Sequence, residues 1–336
     1  MFSDNFVTEN HEAELADEEA EGGRPLSEKR CSKYPGHPQF IPIKCFRETH
    51  LPPELRDDAG TTYNKILCQA KLTVKIKGCF ISKDRPEGLP YFDKKGLFVS
   101  INGTGFITNV YNNEEPEYDQ LPLIDLLQEP GEGPWSVNIV TSAHVVFDQT
   151  EVEACQVILD FDDETAEREG RVVTLKGDTL LDVSEGRDWC KFKCFTQDRD
   201  LVRKLWPIVC DFYSPNKGME SIDDLETLCP SDNNFIVSDI DSDDDFPPSV
   251  GRVMVSHPHG HSKMVTIGTR VTQTHNNSLC YTYDTPTCPG SSGALVMYSD
   301  VGLFSSFIHY GTNGCEPGFN QSSFSVRFPK FRDGLE

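Results

Sequence analysis

From about residue 66 to residue 329 the chain reads as a succession of short runs broken by turn residues. Lys71–Lys77 alternates with period two. Gly96–Ile101 leads into Gly103–Ile107, and Val137–Thr141, Gln156–Phe161, Arg171–Leu175 and Trp189–Phe195 follow. Val253–Ser256, Val265–Thr272, Cys280–Tyr283, Ala294–Tyr298 and Phe304–Tyr310 continue the series. Runs of this length, rich in β-branched and aromatic residues, predict strands. About a dozen of them with few helical stretches predict an all-β protein, a sandwich or barrels. One helical patch interrupts the series at Asp198–Trp206, where Leu201, Val202 and Leu205 recur at helical spacing. It splits the β region where a two-barrel protein would cross over.

The flanks differ in texture. Residues 1–30 hold nine acidic and three basic residues and little apolar surface, which reads as a disordered, solvated tail. Residues 31–65 carry Pro35, Pro38, Pro42, Pro52 and Pro53 and read as an irregular extension packing on the next domain, with a short helix at Pro53–Asp58. Two acidic stretches, Asp160–Glu169 and Asp239–Asp245, read as solvated loops. The second lacks the glycine and terminal Glu of a calcium-binding EF-hand loop.

A formal charge of −23, from 54 acidic and 31 basic residues, argues against nucleic-acid and anionic-membrane partners. No apolar run approaches the ~20 residues of a membrane-spanning helix. The opening residues lack a basic and then apolar leader, so a cytoplasmic setting with twelve cysteines, mostly as thiols, is expected. No Cys-x-x-Cys occurs, and Cys190/Cys194 and Cys280/Cys288 have no matching pair, which argues against structural zinc. His257, His259 and His261 stand at i, i+2 spacing, but Pro258 and Gly260 make the segment a loop rather than a metal-binding strand. No metal and no cofactor is expected.

Three segments carry chemistry. Val140–Val146 places His144 at the end of an apolar strand behind small Ser142 and Ala143. Asp188 opens a strand on the same face as Cys190, Phe192 and Cys194, and a buried carboxylate there needs a partner such as an imidazole N–H. Gly290-Ser291-Ser292-Gly293 is a turn whose glycines permit positive φ, so backbone N–H groups can converge beside an exposed hydroxyl.

The order His144, Asp188, Ser292 is that of the chymotrypsin-type triad. Residues 66–329 resemble the chymotrypsin-like serine proteases. Thr141-Ser142-Ala143-His144 is similar to the family's Thr-Ala-Ala-His, and Asp188-Trp189-Cys190-Lys191-Phe192 to its Asp-Leu-Ala-x-Leu. Gly290–Gly293 resembles Gly-Asp-Ser-Gly, and Gly103-Thr104-Gly105-Phe106 the preceding Gly-Ser-Gly-Phe strand. Val255–Gly260, Asp284–Thr287 and Ile308–Gly311 resemble the glutamyl endopeptidase and heat-shock protease branch.

The resemblance implies two antiparallel six-stranded barrels, one over about residues 66–195 and the other over about 207–329. It implies an enzyme that hydrolyses protein or peptide substrates with His144, Asp188 and Ser292, the site lying between the barrels and the oxyanion held by the N–H groups of Gly290 and Ser292. Thr287, His309, Tyr310 and Gly311 would line the substrate pocket, with Thr287 and His309 holding an acidic residue. Ser291 stands where the trypsin pattern has Asp, and Ala294 where it has Gly, which makes trypsin-style activation by a new N-terminus unexpected. A catalytically silent binding module on the same fold is the alternative.

Overall fold

The structure, a computed structural model, describes residues 11–12, 14–15, 31–56, 60–112, 131–186, 188–213, 252–269, 271–275, 279–298, 306–312 and 320–325. The Asp239–Asp245 loop lies outside these residues.

The alternation that predicts a strand at Lys71 begins two residues later. Lys71 and Leu72 close a helix, α1 (Thr61–Leu72), and β1 is Thr73–Gly78. The buried face of α1 includes Lys65 and Gln69, so no apolar stripe marks it in the sequence. Lys65 Nζ donates to the carbonyls of Asp211 and Phe212, at 2.6 and 2.8 Å. These lie near the C-terminus of a later helix, the negative end of its dipole. Gln69 Nε2 donates to Leu295 O at 2.8 Å. At Pro53–Asp58 the short helix is a single 3-10 turn, Pro53–Leu55.

Strands β2 (Ile101–Asn112), β3 (Trp135–Thr141), β4 (Gln156–Leu159), β5 (Val173–Ser184) and β6 (Trp189–Thr196) follow, with helix α2 (Gln149–Ala154) before β4. Every neighbouring pair is antiparallel, in the order β2-β1-β4-β5-β6-β3, and β3 pairs again with β2. Six strands thus close into a barrel. Closure leaves no unpaired edge among them.

The crossover helix α3 (Arg199–Tyr213) is longer than the patch at Asp198–Trp206 and runs through Pro207. Its apolar stripe continues past the proline in Val209 and Phe212, both buried, so packing against α1 and β2 outweighs the one backbone bond that proline removes. Asp198 Oδ1 caps its start by accepting from Asp200 N and Leu201 N, both at 3.0 Å.

The second sheet comprises β7 (Arg252–Ser256), β8 (Met264–Gly268), β9 (Val271–His275), β10 (Leu279–Tyr283), β11 (Leu295–Tyr298), β12 (Ser306–Thr312) and β13 (Asn320–Ser325). Its antiparallel order is β9-β10-β13-β12-β11-β7-β8. The order begins and ends on one stretch of sequence, 264–275, which the sequence reads as the single run Val265–Thr272. The sheet therefore curls into a half-barrel, and the fold is the two-barrel, chymotrypsin-like one. Ile41–Pro42 of the extension adds a two-residue strand to β8. One apolar core joins the sheets, with Ile76, Phe106 and Ile139 on one side and Val253, Leu295 and Ile308 on the other.

The acidic stretch at Asp160–Glu169 is not merely solvated. Asp162 accepts from Lys71 and from the fully buried Lys263, and Glu164 from Ser262 N. It stitches the barrels together. Among the described residues no helix is long and apolar enough to cross a membrane.

Candidate active site

His144 stands where the buried strand β3 ends. The chain leaves the strand at Ser142 and turns at once, with Val145 N and Val146 N both donating to Ser142 O. A Cβ on Gly103 would lie 2.4 Å from Val145 Cγ1, so a glycine lets β2 approach the turn. Beneath lies a brace with no sequence signature. Arg85, fully buried, donates to His144 O (3.0 Å), to Pro90 O and through Nε and Nη2 to both oxygens of Glu151. Glu151 also accepts from Ser82 N and Phe147 N. Every charge in this pair is satisfied, the condition under which a buried ion pair is tolerated.

Asp188 stands in the turn immediately before β6 and is buried, held at a φ of 49° with its N–H donating to Glu185 O. Its Oδ1 accepts from the His144 backbone N–H (2.9 Å), and its Oδ2 lies 2.6 Å from His144 Nδ1. With Nδ1–H given to the carboxylate, the neutral ring carries a bare Nε2. That atom is buried and has no hydrogen-bond partner among the described residues.

Ser292 lies in a turn that only glycines permit. Gly290 and Gly293 both have a φ of 90°. A Cβ on Gly290 would lie 2.8 Å from His257 O and His259 N, and one on Gly293 would lie 2.0 Å from Thr104 O. Thr104 ties this turn to the first barrel, its N–H donating to Ser292 O and its hydroxyl to Gly290 O, both at 2.8 Å. Ser142 Oγ donates to His309 O at 2.9 Å. The His144 turn and the Ser292 turn therefore meet at the junction of the barrels.

One expected contact is not made. Ser292 Oγ is within hydrogen-bond distance of Glu12 O (3.0 Å) and Tyr310 O (3.2 Å), and no bond joins it to His144 among the described residues. Its single proton is turned toward backbone carbonyls. The Ser291 hydroxyl, where a carboxylate would serve trypsin-style activation, lies 3.1 Å from Ser256 Oγ and accepts from Cys288 N. The thiols of Cys190 and Cys194 are buried behind the site, and burial pushes both well up, so they stay protonated.

The site holds a piece of the acidic tail. Glu12 N donates to Tyr310 O (3.3 Å), Gly290 N donates to Glu12 O (3.2 Å), and His11 forms an antiparallel bridge with Gly311. Four residues of the tail, His11, Glu12, Glu14 and Leu15, are thus placed against the barrels, with Glu14–Leu15 pairing β2. Ser292 meets the Glu12 carbonyl through Oγ rather than its backbone N–H, so only Gly290 of the two expected oxyanion donors is engaged. The His11 ring lies 4.7 Å from that of His144, and burial, with His144 next, lowers its pKa to about 4.

The Glu12 side chain is buried against the second barrel. His309 Nε2 donates to Glu12 Oε2 at 2.9 Å, and the Lys33 ammonium pairs with Oε1. Burial works to raise the Glu12 carboxyl, but the bond from His309 and the Lys33 charge outweigh it and hold its pKa at about 2. Burial lowers His309 below its ordinary value. A neutral ring that donates from Nε2 must accept at Nδ1, and Tyr283 Oη lies 2.6 Å from that nitrogen.

Thr287, expected to touch the carboxylate, instead lies one shell away. Its hydroxyl donates to Asn320 Oδ1 (2.8 Å) and accepts from Lys33 (2.9 Å). Lys33, Tyr283 and Asn320 carry no sequence signal for this role. Lys33 sits 254 and 287 residues from Thr287 and Asn320, its partners in the pocket.

No protein-family model matches the chain, and no curated protein matches it. Among solved structures the chain is similar to Deg5, at 15% identity and a TM-score of 0.40, over 80% of this chain and 91% of that one. It is also similar to the active form of the Rv3671c protease from M. tuberculosis, at 11% identity and a TM-score of 0.37, over 81% and 86%. A third is the thermostable serine protease AL20 from an extremophilic microorganism, at 11% identity and a TM-score of 0.40, over 79% and 93%.

Proposed function

We propose that this protein is a serine endopeptidase that cuts peptide bonds after acidic residues. One observation carries the reading: Glu12 lies in the cleft as a substrate residue would. Its backbone is paired with Tyr310, its carbonyl accepts from Gly290 N, and its carboxylate is held by His309 and Lys33.

In this reading Ser292 Oγ attacks a carbonyl placed where that of Glu12 lies. The bare Nε2 of His144 takes the proton and later delivers it to the leaving amine, while Asp188 fixes the tautomer and stabilises the imidazolium. Gly290 N–H, and Ser292 N–H once the carbonyl becomes tetrahedral, stabilise the oxyanion. Water then hydrolyses the acyl-enzyme by the same route in reverse. Thr287 and Asn320 orient Lys33, and Tyr310 and Gly311 hold the substrate backbone.

The missing Ser292–His144 bond is what a silent binding module would also display. A fluorophosphonate probe separates the two, since it reacts only with an activated serine. The expected result is a single adduct on Ser292, absent in Ser292→Ala. The Glu12→Ala variant, whose pocket is freed of its own side chain, should label faster. No adduct on either the parent or Glu12→Ala, beside a hydrolase that does react, would leave the silent module.

A further inference from the structure

We propose that Cys31, His37, His259 and Cys288 form a structural zinc site that clips the extension to the wall of the substrate pocket. Their four ligand atoms lie within 4.8 Å of one another. The two sulfurs are 3.6 Å apart, far beyond a disulfide bond of ~2.05 Å. Four-coordinate zinc with Zn–S of ~2.3 Å places its sulfurs about 3.8 Å apart. The two Nε2 atoms are 3.2 Å apart, and Zn–N of ~2.0–2.1 Å places them about 3.3 Å apart. Both spacings fit the edges of one tetrahedron.

The surroundings support the same assignment. His259 Nδ1 lies 2.9 and 3.1 Å from the oxygens of Glu14, so its ring N–H goes to a carboxylate and its Nε2 lone pair faces the cluster. A ligating histidine backed by a carboxylate in this way is a recurrent feature of zinc sites. Tyr34 N–H donates to Cys31 Sγ at 3.4 Å, which favours a thiolate. Two sulfurs and two imidazoles in a tetrahedron select zinc over harder cations, and four protein ligands leave no open position for chemistry.

The linear spacing that argues against zinc could not reveal the site. Two ligands come from the extension, one from the turn after β7 and one from the turn before Ser292. Lys33 lies between the first two, and Gly290 follows Cys288 by two residues. The metal would thus hold the cation of the pocket and the oxyanion turn on one support.

The test is the metal content of the full chain purified without added zinc or chelator. One zinc per chain is expected. Cobalt exchanged into the protein should give the visible absorption of a tetrahedral cobalt–thiolate centre. Cys31→Ser with Cys288→Ser should bring zinc to background, and Cys45→Ser, an exposed thiol, should leave it unchanged. Should the double variant fail to fold, His37→Ala in the extension should still remove the cobalt–imidazole signature. Metal well below one per chain in the parent protein, or a Cys31–Cys288 disulfide in its unreduced peptide map, would overturn the site.

The placement of Glu12 carries a second inference independently of the metal. We infer that the Glu12–Ala13 bond is the protein's own substrate, a reading that rests on the proposed protease activity. Ser292 Oγ would bond to the Glu12 carbonyl carbon, the amine of Ala13 would leave with the proton held by His144, and water would free the Glu12 carboxylate. Intact-mass measurement on incubated protein should show loss of residues 1–12 and a new terminus at Ala13. The rate should not depend on protein concentration, Ser292→Ala should stay intact, and Glu12→Gln should be at least tenfold slower. An intact chain that nevertheless cuts added peptides after Glu would refute self-cleavage and leave the protease reading standing. An intact chain that cuts no peptide would refute both.

Discussion

Replacing Asp188 with Asn should lower kcat for peptide hydrolysis by about 10⁴-fold, and Ser292→Ala by about 10⁶-fold. The two losses have different physical origins. Ser292→Ala removes the nucleophile and leaves only binding and the oxyanion donors. Asp188→Asn keeps the shape but alters the proton. An Asn can still accept from His144 N–H through its oxygen, which occupies the place of Oδ1. Its amide nitrogen then faces His144 Nδ1 across the 2.6 Å contact, so the ring must accept at Nδ1 and carry its proton on Nε2. A protonated Nε2 cannot act as base. At about 1.36 kcal/mol per tenfold, a 10⁴-fold loss corresponds to about 5.4 kcal/mol of transition-state stabilisation. Single-turnover kinetics on both variants, with unchanged melting temperatures as the control for folding, would measure it.

The second large effect concerns selectivity. His309→Leu should lower kcat/KM for substrates with Glu before the cut bond by about 10²–10³-fold, the cost of leaving a buried charge short of a partner. Substrates with Gln or Leu there should lose much less. The imidazole is fully buried and spends its Nε2–H on the carboxylate, so the leucine removes a donor that no water replaces. Lys33 keeps part of the preference, because its ammonium contacts the other oxygen. Lys33→Met should therefore weaken Glu selectivity further in the double variant. The two residues touch one carboxylate, so their effects should not add. Paired peptides differing only in that residue would measure the ratio.

The legible and illegible parts of this protein divide by sequence distance. Strand β3, the turn at His144, the register of Asp188 and the Gly290–Gly293 turn are all local patterns. Strand β3 and the turn at His144 follow from an apolar run that ends in small Ser142 and Ala143, Asp188 from period-two alternation, and the last turn from glycine's freedom at positive φ. Helix α1 is hidden because its buried face uses Lys65 and Gln69, whose polar atoms bond to backbone carbonyls of other elements. Helix α3 runs beyond the patch at Asp198–Trp206 because its apolar stripe resumes after Pro207 in Val209 and Phe212.

The pocket divides in the same way. His309 is reached only through the resemblance carried by Ile308–Gly311, whereas Lys33 and Glu12 come from segments that composition marks as irregular or solvated. An acidic tail with little apolar surface has no hydrophobic reason to order. Glu12 is ordered by charge and hydrogen bonds, and those partners lie up to 297 residues away. The same holds for the Cys31, His37, His259 and Cys288 cluster, which no linear spacing encodes.

In the proposed function the cleft joins a serine nucleophile to a pocket that selects acidic residues. Mapping every bond cut in a denatured protein mixture by mass spectrometry tests both halves at once. New termini are expected to follow Glu, and less often Asp, with none above background for Ser292→Ala. Cuts that follow Lys, Arg or large apolar residues, or cuts that persist in Ser292→Ala, would contradict it.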